Sequence, residues 1–576
     1  MPGGRAHIMK NPDLILLHPP HVYDFRNTPQ LYGPVSDLVP ATPVFEMYPL
    51  GFASMAEYLE KSGYQVRIVN LAYRMLRDGR FNVEKFINKL EAPIFGIDLH
   101  WLVHAHGALE IARLVKKYHP SSKIVLGGFT ASYYWRELIG YSEVDYVMRG
   151  DSTEEPMRAL MRAMKSRRLG SVPNLIWKER RGVVRENALS HIPEHLDNVM
   201  HDHYSGLLRQ VFRYRDLRGI IPFKGWLTHP ITAVFTCRGC EQQCIFCGGS
   251  KAALKKVTGR CRTAFRSPEE IHRDVKSISR LSRGPIFILS DIRQSGEDTA
   301  RDLLHRLQRE PVSNTVMFEL YWPAPAHFVV DISLAAPQFG LSISPHSHDP
   351  DLRRTLGLNY ANAELEETIS SGLSSGAKRI EVYFMIGLPG QTREAVLADV
   401  AYCEQLLRRF DGDRRLVLYQ GPLAPFLDPG SLAFEHPERY GYKLRYRTLA
   451  EHRQALLQPS WKHVLNYETQ WLSRDDIMDV TYEAAERLTR TKAKYGQISG
   501  VLAEAQLTRL GEARRLEEKI DVLIQSGRTE ELVHLKAELN QVNGFDAVQH
   551  RQLLDVPLGV LRLRYLNSLW RVIAGK

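Results

Sequence analysis

Cys240, Cys244 and Cys247 fall within eight residues, directly behind the apolar run Ile231–Thr236. The chain has six cysteines; Cys237 lies just ahead of this run, Cys261 and Cys403 stand apart, and none supplies a fourth ligand at a matching distance. Three thiolates packed this way suit three irons of a four-iron cluster and leave the fourth iron open to a small ligand. A zinc site would favour two separated cysteine pairs. A disulfide framework is disfavoured by the clustering, by the length of the chain and by the absence of a secretory apolar core in Met1–Pro12, so a cytoplasmic location is the expectation. The run also constrains the fold. A ligand loop behind a short apolar strand belongs at the carboxyl end of that strand.

The surrounding pattern agrees. At 576 residues the chain exceeds one ordinary core, and two to four domains are expected. Residues 1–200 read as a Rossmann-like α/β domain. Its strands are Leu14–Leu17, Gln65–Val69, Ile94–Ile97, Lys123–Leu126 and Val144–Val147, with helices at 52–62 and 105–118 between them. Residues 201–228, broken by Pro222 and Gly225, read as a connector. Residues 229–425 repeat the alternation, with strands at 231–236, 285–290, 315–320, 340–344, 379–386 and 415–419. Six βα units make a partial barrel, short of the eight that close one. Ser267-Pro268-Glu269-Glu270 starts one of the intervening helices. Residues 426–576 turn helical, with a long amphipathic stretch at 502–542 broken at Gly527. The fold class expected is therefore α/β, with a helical C-terminal region. No apolar stretch reaches the roughly 20 residues of a membrane span.

Three further segments give the cysteine loop a context. Thr236-Cys237-Arg238-Gly239-Cys240 leads into it, Ser342-Ile343-Ser344-Pro345-His346-Ser347-His348-Asp349 runs out of the fourth barrel strand, and Phe384-Met385-Ile386-Gly387-Leu388-Pro389-Gly390-Gln391-Thr392 runs out of the fifth. Together they resemble the radical S-adenosylmethionine (radical SAM) enzymes, specifically the cobalamin-dependent, class B methyltransferase-like branch. The resemblance implies that Cys240, Cys244 and Cys247 hold a [4Fe–4S] cluster whose open iron chelates SAM. It implies SAM contacts at Phe246, Ser290, Asp291, Ser344, His346, Arg353, Gly387, Leu388 and Pro389. His346 stands where relatives carry glutamate, and Cys237 where many carry serine.

The first 200 residues resemble the cobalamin-binding domain of that branch through Leu17-His18-Pro19-Pro20, Tyr48-Pro49-Leu50-Gly51, Gly96-Ile97-Asp98, Leu126-Gly127-Gly128 and Arg149-Gly150-Asp151. Cobalamin contacts are implied at Pro19, Pro20, Tyr48, Leu50, Gly51, Asp98, Leu99, Gly127, Gly128 and Gly150. Asp98-Leu99-His100 begins like the D-x-H-x-x-G cobalt-ligand motif, but Val103 occupies the glycine position. Base-off cobalamin without a histidine ligand is expected, with the loop Asn70–Arg74 below the corrin.

The resemblance implies C-methylation of an unactivated carbon in a secondary metabolite or lipid through a 5′-deoxyadenosyl radical. Radical cyclisation, ring rearrangement or carbon–carbon coupling without methyl transfer is the alternative, and a non-catalytic cobalamin sensor or scaffold is a third reading. No acid–base triad is evident, and no catalytic side chain is assigned. The net charge of +11 fits either a solvated, arginine-rich surface or attraction to an acidic partner. Expected partners are a small-molecule or lipid substrate, free or carrier-bound, and an electron donor such as flavodoxin or ferredoxin. No nucleic acid is expected, because no zinc-finger or RNP-type motif accompanies the charge.

Overall fold

The computed structural model describes residues 11–33, 49–179, 182–197, 203–227, 230–423 and 426–543. The first sheet has seven strands: β1 (Leu14–His18), β2 (Val66–Asn70), β3 (Ile94–Asp98), β4 (Lys123–Gly127), β5 (Tyr146–Met148), β6 (Leu175–Lys178) and β7 (Val184–Glu186). Their order is β2-β1-β3-β4-β5-β6-β7. β1 to β5 are parallel, and β6 and β7 run back antiparallel. Both faces of the parallel part are covered. Ile15, Leu17, Phe95 and Ile97 join one apolar core with the helix Ala105–Tyr118, and Leu14, Leu16, Ile94 and Val125 join another with the helix Gly51–Lys61. Burial on both faces is why these strands read as unbroken apolar runs. The β6–β7 hairpin escapes that reading because β7 is exposed throughout.

The second sheet contains β8 (Thr232–Phe235), β11 (Ile286–Leu289), β12 (Val316–Leu320), β13 (Phe339–His346), β14 (Arg379–Ile386) and β15 (Leu416–Pro422), in the order β15-β14-β13-β12-β11-β8 and all parallel. β9 (Cys237–Arg238) and β10 (Ala264–Phe265) form a separate antiparallel pair beside the cysteine loop. The two faces of the six-stranded sheet differ. Val234, Ile288, Phe318, Leu341, Val382 and Leu418 are buried against flanking helices. Phe235, Leu289, Glu319, Ser342, Tyr383 and Tyr419, which alternate with them, stay partly exposed. That two-residue alternation defines an inner face open to a ligand.

Two segments depart from the sequence reading. The stretch taken as a connector carries the helix His203–Tyr214, and Gln210 Oε1 accepts the Ile68 N–H at 3.1 Å, fastening the helix to β2. Asn70–Arg74 is no loop; it begins the helix Leu71–Arg77, and Asn70 Oδ1 caps it by accepting the Tyr73 N–H. In the C-terminal region, the long helix Gly500–Gln525 ends just before Gly527, as the amphipathic pattern suggested, and β16 (Tyr442–Leu444) pairs antiparallel with β17 (Tyr467–Thr469).

Candidate active site

The cysteine loop leaves β8 at the carboxyl end of the second sheet. Its three thiols carry no disulfide, and backbone N–H groups already point at two of them: Gln242 N–H at Cys240 Sγ (3.4 Å) and Gly249 N–H at Cys247 Sγ (3.3 Å). Burial pushes the Cys240 thiol up to about 11 and also raises Cys244 and Cys247. A bound cation offsets that cost, since a coordinating thiol is deprotonated outright. No three His, Cys, Asp or Glu side chains among the described residues converge closely enough to ligate one ion. A cubane makes no such demand, because each thiolate binds a different iron. The donor set and its N–H groups fit a cluster of that kind.

Two rim segments beside the loop are interlocked. Gln391 Oε1 accepts the N–H groups of Gly387 (2.9 Å) and Leu388 (3.2 Å), and Gln391 Nε2 donates to Asp399 Oδ2 (3.2 Å). The other oxygen of the fully buried Asp399 accepts from Ser347 Oγ (3.0 Å) and His348 N–H (2.7 Å). One carboxylate thus holds the Gly387–Gln391 turn and the Ser344–Asp349 segment together. Gly387 has φ +91°, and a Cβ there would stand 2.7 Å from Tyr467 Oη. Close backbone packing requires glycine at this point.

In the first sheet, the polar groups at the carboxyl ends of β1 and β3 pair with each other. His18 Nδ1 meets Asp98 Oδ2 at 3.0 Å, with both side chains buried. Burial alone would raise the Asp98 carboxyl; the His18 hydrogen bond and charge outweigh it and hold the group below its usual range. Asp98 Oδ1 accepts the His100 N–H at 2.9 Å. Gly128, at φ +116°, lies against the His100 backbone, where a Cβ would come within 2.5 Å. Gly150, at φ +104°, donates its N–H to Ser132 Oγ at 3.0 Å. Ligands of open α/β sheets bind at these strand ends.

The two sheets meet through the cysteine-loop hairpin. Arg238 of β9 pairs with the buried Glu154 (Nη1 to Oε2, 2.9 Å), and Arg260 just before β10 pairs with Asp151 (Nη2 to Oδ1, 3.0 Å). Residues 151–154 directly follow Gly150, so the carboxyl edge of the first sheet is clamped beside the cysteine loop.

Residues 37–160 match the B12 binding domain family, and residues 234–403 match the Radical SAM superfamily. This chain is a cobalamin-dependent radical SAM enzyme. Its cofactors are a [4Fe–4S] cluster, SAM and cobalamin. Among curated relatives, it is 24% identical over 372 residues to the uncharacterized methyltransferase PH0819 of Pyrococcus horikoshii, covering 62% of this chain and 73% of that one. It is 25% identical over 257 residues to hopanoid C-3 methylase of Methylococcus capsulatus, covering 44% of each chain. Among solved structures, it shares its fold with the radical SAM methyltransferase TsrM from Kitasatospora setae (TM-score 0.56, 15% identity, 83% of this chain and 89% of that one). It also shares its fold with the cobalamin-dependent radical enzyme OxsB (TM-score 0.52, 13% identity, 98% and 84%).

Most residues singled out in the sequence of this radical SAM enzyme gather in these two regions. Phe246 is buried beside the cysteine loop, its ring edge-on to His346 at 5.3 Å. His346 sits at φ +67° with Nδ1 buried and unpartnered, and burial lowers its pKa to about 4, so the ring is neutral at pH 7. Ser344 is half-buried on β13, and Leu388 and Pro389 belong to the Gly387 turn. Pro19, Pro20 and Leu99 are buried next to His18 and Asp98; Gly127 ends β4. Leu50 and Gly51 open the helix Gly51–Lys61, and Tyr48 lies outside the described residues.

Two of the expected SAM contacts already have partners within the chain. Arg353 is fully buried and donates to the Ser347 and Tyr360 carbonyls, so its guanidinium braces the rim from behind. Asp291 is occupied as well: Arg293 takes both its oxygens and Tyr321 N–H adds a further bond at 2.9 Å. Tyr442 and Tyr467 are buried props behind the rim; Tyr442 Oη donates to the Gly387 carbonyl at 3.0 Å and Tyr467 Oη to the Leu423 carbonyl at 2.7 Å. The sequence reading missed Asp399 and the Arg238–Glu154 and Arg260–Asp151 pairs. The available signal for Asp399 was an acid within the apolar stripe Val396–Val400–Cys403 of one helix.

Among the described residues, no helix is long and apolar enough to cross a membrane.

Proposed function

We propose that this enzyme C-methylates an unactivated carbon of a secondary metabolite or lipid. The observation that carries the reading is the clamp: Arg238 and Arg260 set the carboxyl edge of the cobalamin-binding sheet against the cysteine loop, as a methyl donor and a radical generator serving one substrate require. The names of the curated relatives support it. When bound, the cofactors supply one-electron SAM cleavage at the cluster and methyl transfer at cobalt. Cys240, Cys244 and Cys247 hold the cluster. Phe246, Ser344, neutral His346 and the Gly387–Pro389 backbone orient SAM. Pro19, Pro20, Tyr48, Leu50, Gly51, Asp98, Leu99, Gly127, Gly128 and Gly150 cradle the corrin. The division into 1–200, 201–228, 229–425 and 426–576 is part of this proposal, with the last unit covering the barrel mouth. The substrate meets the partly exposed inner face of the second sheet, and an acidic electron donor suits the basic chain.

Anaerobic reconstitution with methyl-labelled SAM, cobalamin and a chemical reductant tests the reading. Formation of both 5′-deoxyadenosine and S-adenosylhomocysteine, with label on cobalamin, is expected. Deoxyadenosine without S-adenosylhomocysteine overturns methyl transfer in favour of cyclisation, rearrangement or coupling. Neither product, from iron- and cobalt-loaded protein, leaves the sensor reading.

A further inference from the structure

The inner face of the second sheet carries two carboxylates in one row. Glu319 of β12 is in register with Ser342 of β13, and Ser342 with Glu381 of β14. Glu381 is satisfied: Arg379 Nε donates to Oε1 at 2.6 Å and Tyr383 Oη to Oε2 at 2.9 Å. Glu319 is not. Its single hydrogen bond among the described residues comes from Ser290 N–H to Oε2, at 2.6 Å, and no lysine or arginine pairs with it. It is half-buried on the open face, and its partner Ser290 stands beside the cysteine loop, with Ser290 Oγ 3.3 Å from Cys237 Sγ. A carboxylate withdrawn from water without a cation or a full set of donors is costly.

The neighbours fix its orientation. Ser290 holds φ +80°, a region unfavourable to a residue with a Cβ, and in that conformation its N–H points at Glu319. The Ser290 hydroxyl is itself held, accepting from Gln294 Nε2 at 2.7 Å and from Cys237 Sγ at 3.3 Å. Strain at one residue and three anchored groups therefore keep a single carboxylate oxygen free beside the cysteine loop. Asp291, one residue on, has no such oxygen.

We propose that Glu319 is the positioning residue that accepts the α-amino group of SAM beside the cluster, in place of the Ser290–Asp291 edge. The inference rests on the cofactor set and is independent of methyl transfer. Its test is a binding ratio measured on reconstituted holoenzyme by equilibrium dialysis, with SAM and with a SAM analogue lacking the α-amino group. Glu319→Gln keeps the shape and still accepts from Ser290 N–H. It is expected to weaken SAM by about tenfold or more, the scale of a charge-assisted hydrogen bond, while leaving the analogue's affinity and the iron content unchanged. Equal weakening of both ligands would mean a structural role, and unchanged SAM affinity would assign the carboxylate to the substrate; either overturns the proposal. Asp291→Asn is the counter-test. It should lower the melting temperature and leave the ratio intact, and collapse of the ratio there instead would return the amino group to the β11 edge. If the amide variant loads too little iron, Glu319→Asp carries the same ratio measurement, with the charge drawn back by one carbon.

Discussion

The two sheets present their carboxyl ends to each other but hold their loops differently. In the first sheet, the buried His18–Asp98 contact links β1 and β3 directly, and the glycine turns after β4 and β5 rest on neighbouring backbone or a serine hydroxyl. In the second sheet, Asp399 lies on a helix behind the strands and gathers two rim segments at once. The contrast teaches that damage in the first sheet should stay local, whereas damage at the barrel rim should spread.

The largest expected effect comes from the cluster itself. Replacing Cys240, Cys244 or Cys247 with alanine should bring iron content to background and abolish SAM cleavage while cobalamin still binds, as read by metal analysis and the visible spectrum. Loss of cobalamin as well would show that the clamp couples the two regions more tightly than the contrast allows. Next is Asp399→Ala, which strands several buried donors and should cost about 3 kcal/mol, seen in chemical denaturation, together with weaker SAM binding. Asp98→Asn should cost less, about 2 kcal/mol, and weaken cobalamin binding without altering iron uptake. It should also change the acid limb of stability. The Asp98 carboxyl lies lower in the folded chain than in the unfolded one, so its contribution is present above the unfolded carboxylate range and is lost as pH falls through the folded value. The variant should therefore lose less stability on acidification than the parent, and identical acid profiles would remove Asp98 from the account. The smallest effect belongs to Cys237→Ser. Its Sγ donates weakly to Ser290, and exchanging sulfur for oxygen should leave iron content unchanged and shift stability by less than about 1 kcal/mol. Reduced iron would make Cys237 more than a neighbour.

Much of this was legible in the chain because the responsible physics is local. Leu14–Leu17 and Ile94–Ile97 announce strands buried on both faces. The strand pattern from 231 to 419 places six parallel strands, and the cysteines identify the loop behind the first of them. The rest depended on long-range pairing. Arg353 looks like an anion ligand until its guanidinium is seen braced on two carbonyls, and Asp291 looks free until Arg293 folds back upon it. Arg238 and Glu154 lie 84 residues apart, a separation no local pattern spans. Helix His203–Tyr214 lies ahead of the breakers Pro222 and Gly225, and its seat on β2 comes from Gln210, a residue without a strong positional signature.

The Arg238 and Arg260 clamp has a practical corollary for dissecting this enzyme. Both guanidinium groups sit on the segment that carries the cluster ligands, and both counter-charges follow the last parallel strand of the other sheet, Asp151 in the loop and Glu154 at the start of the next helix. A truncated barrel would keep every iron ligand yet expose two orphaned cations at the foot of the ligand hairpin. Excision of the amino-terminal portion would therefore remove a structural wall of the iron site along with the corrin cradle, and poor cluster retention in such a fragment should be expected even when its six strands fold.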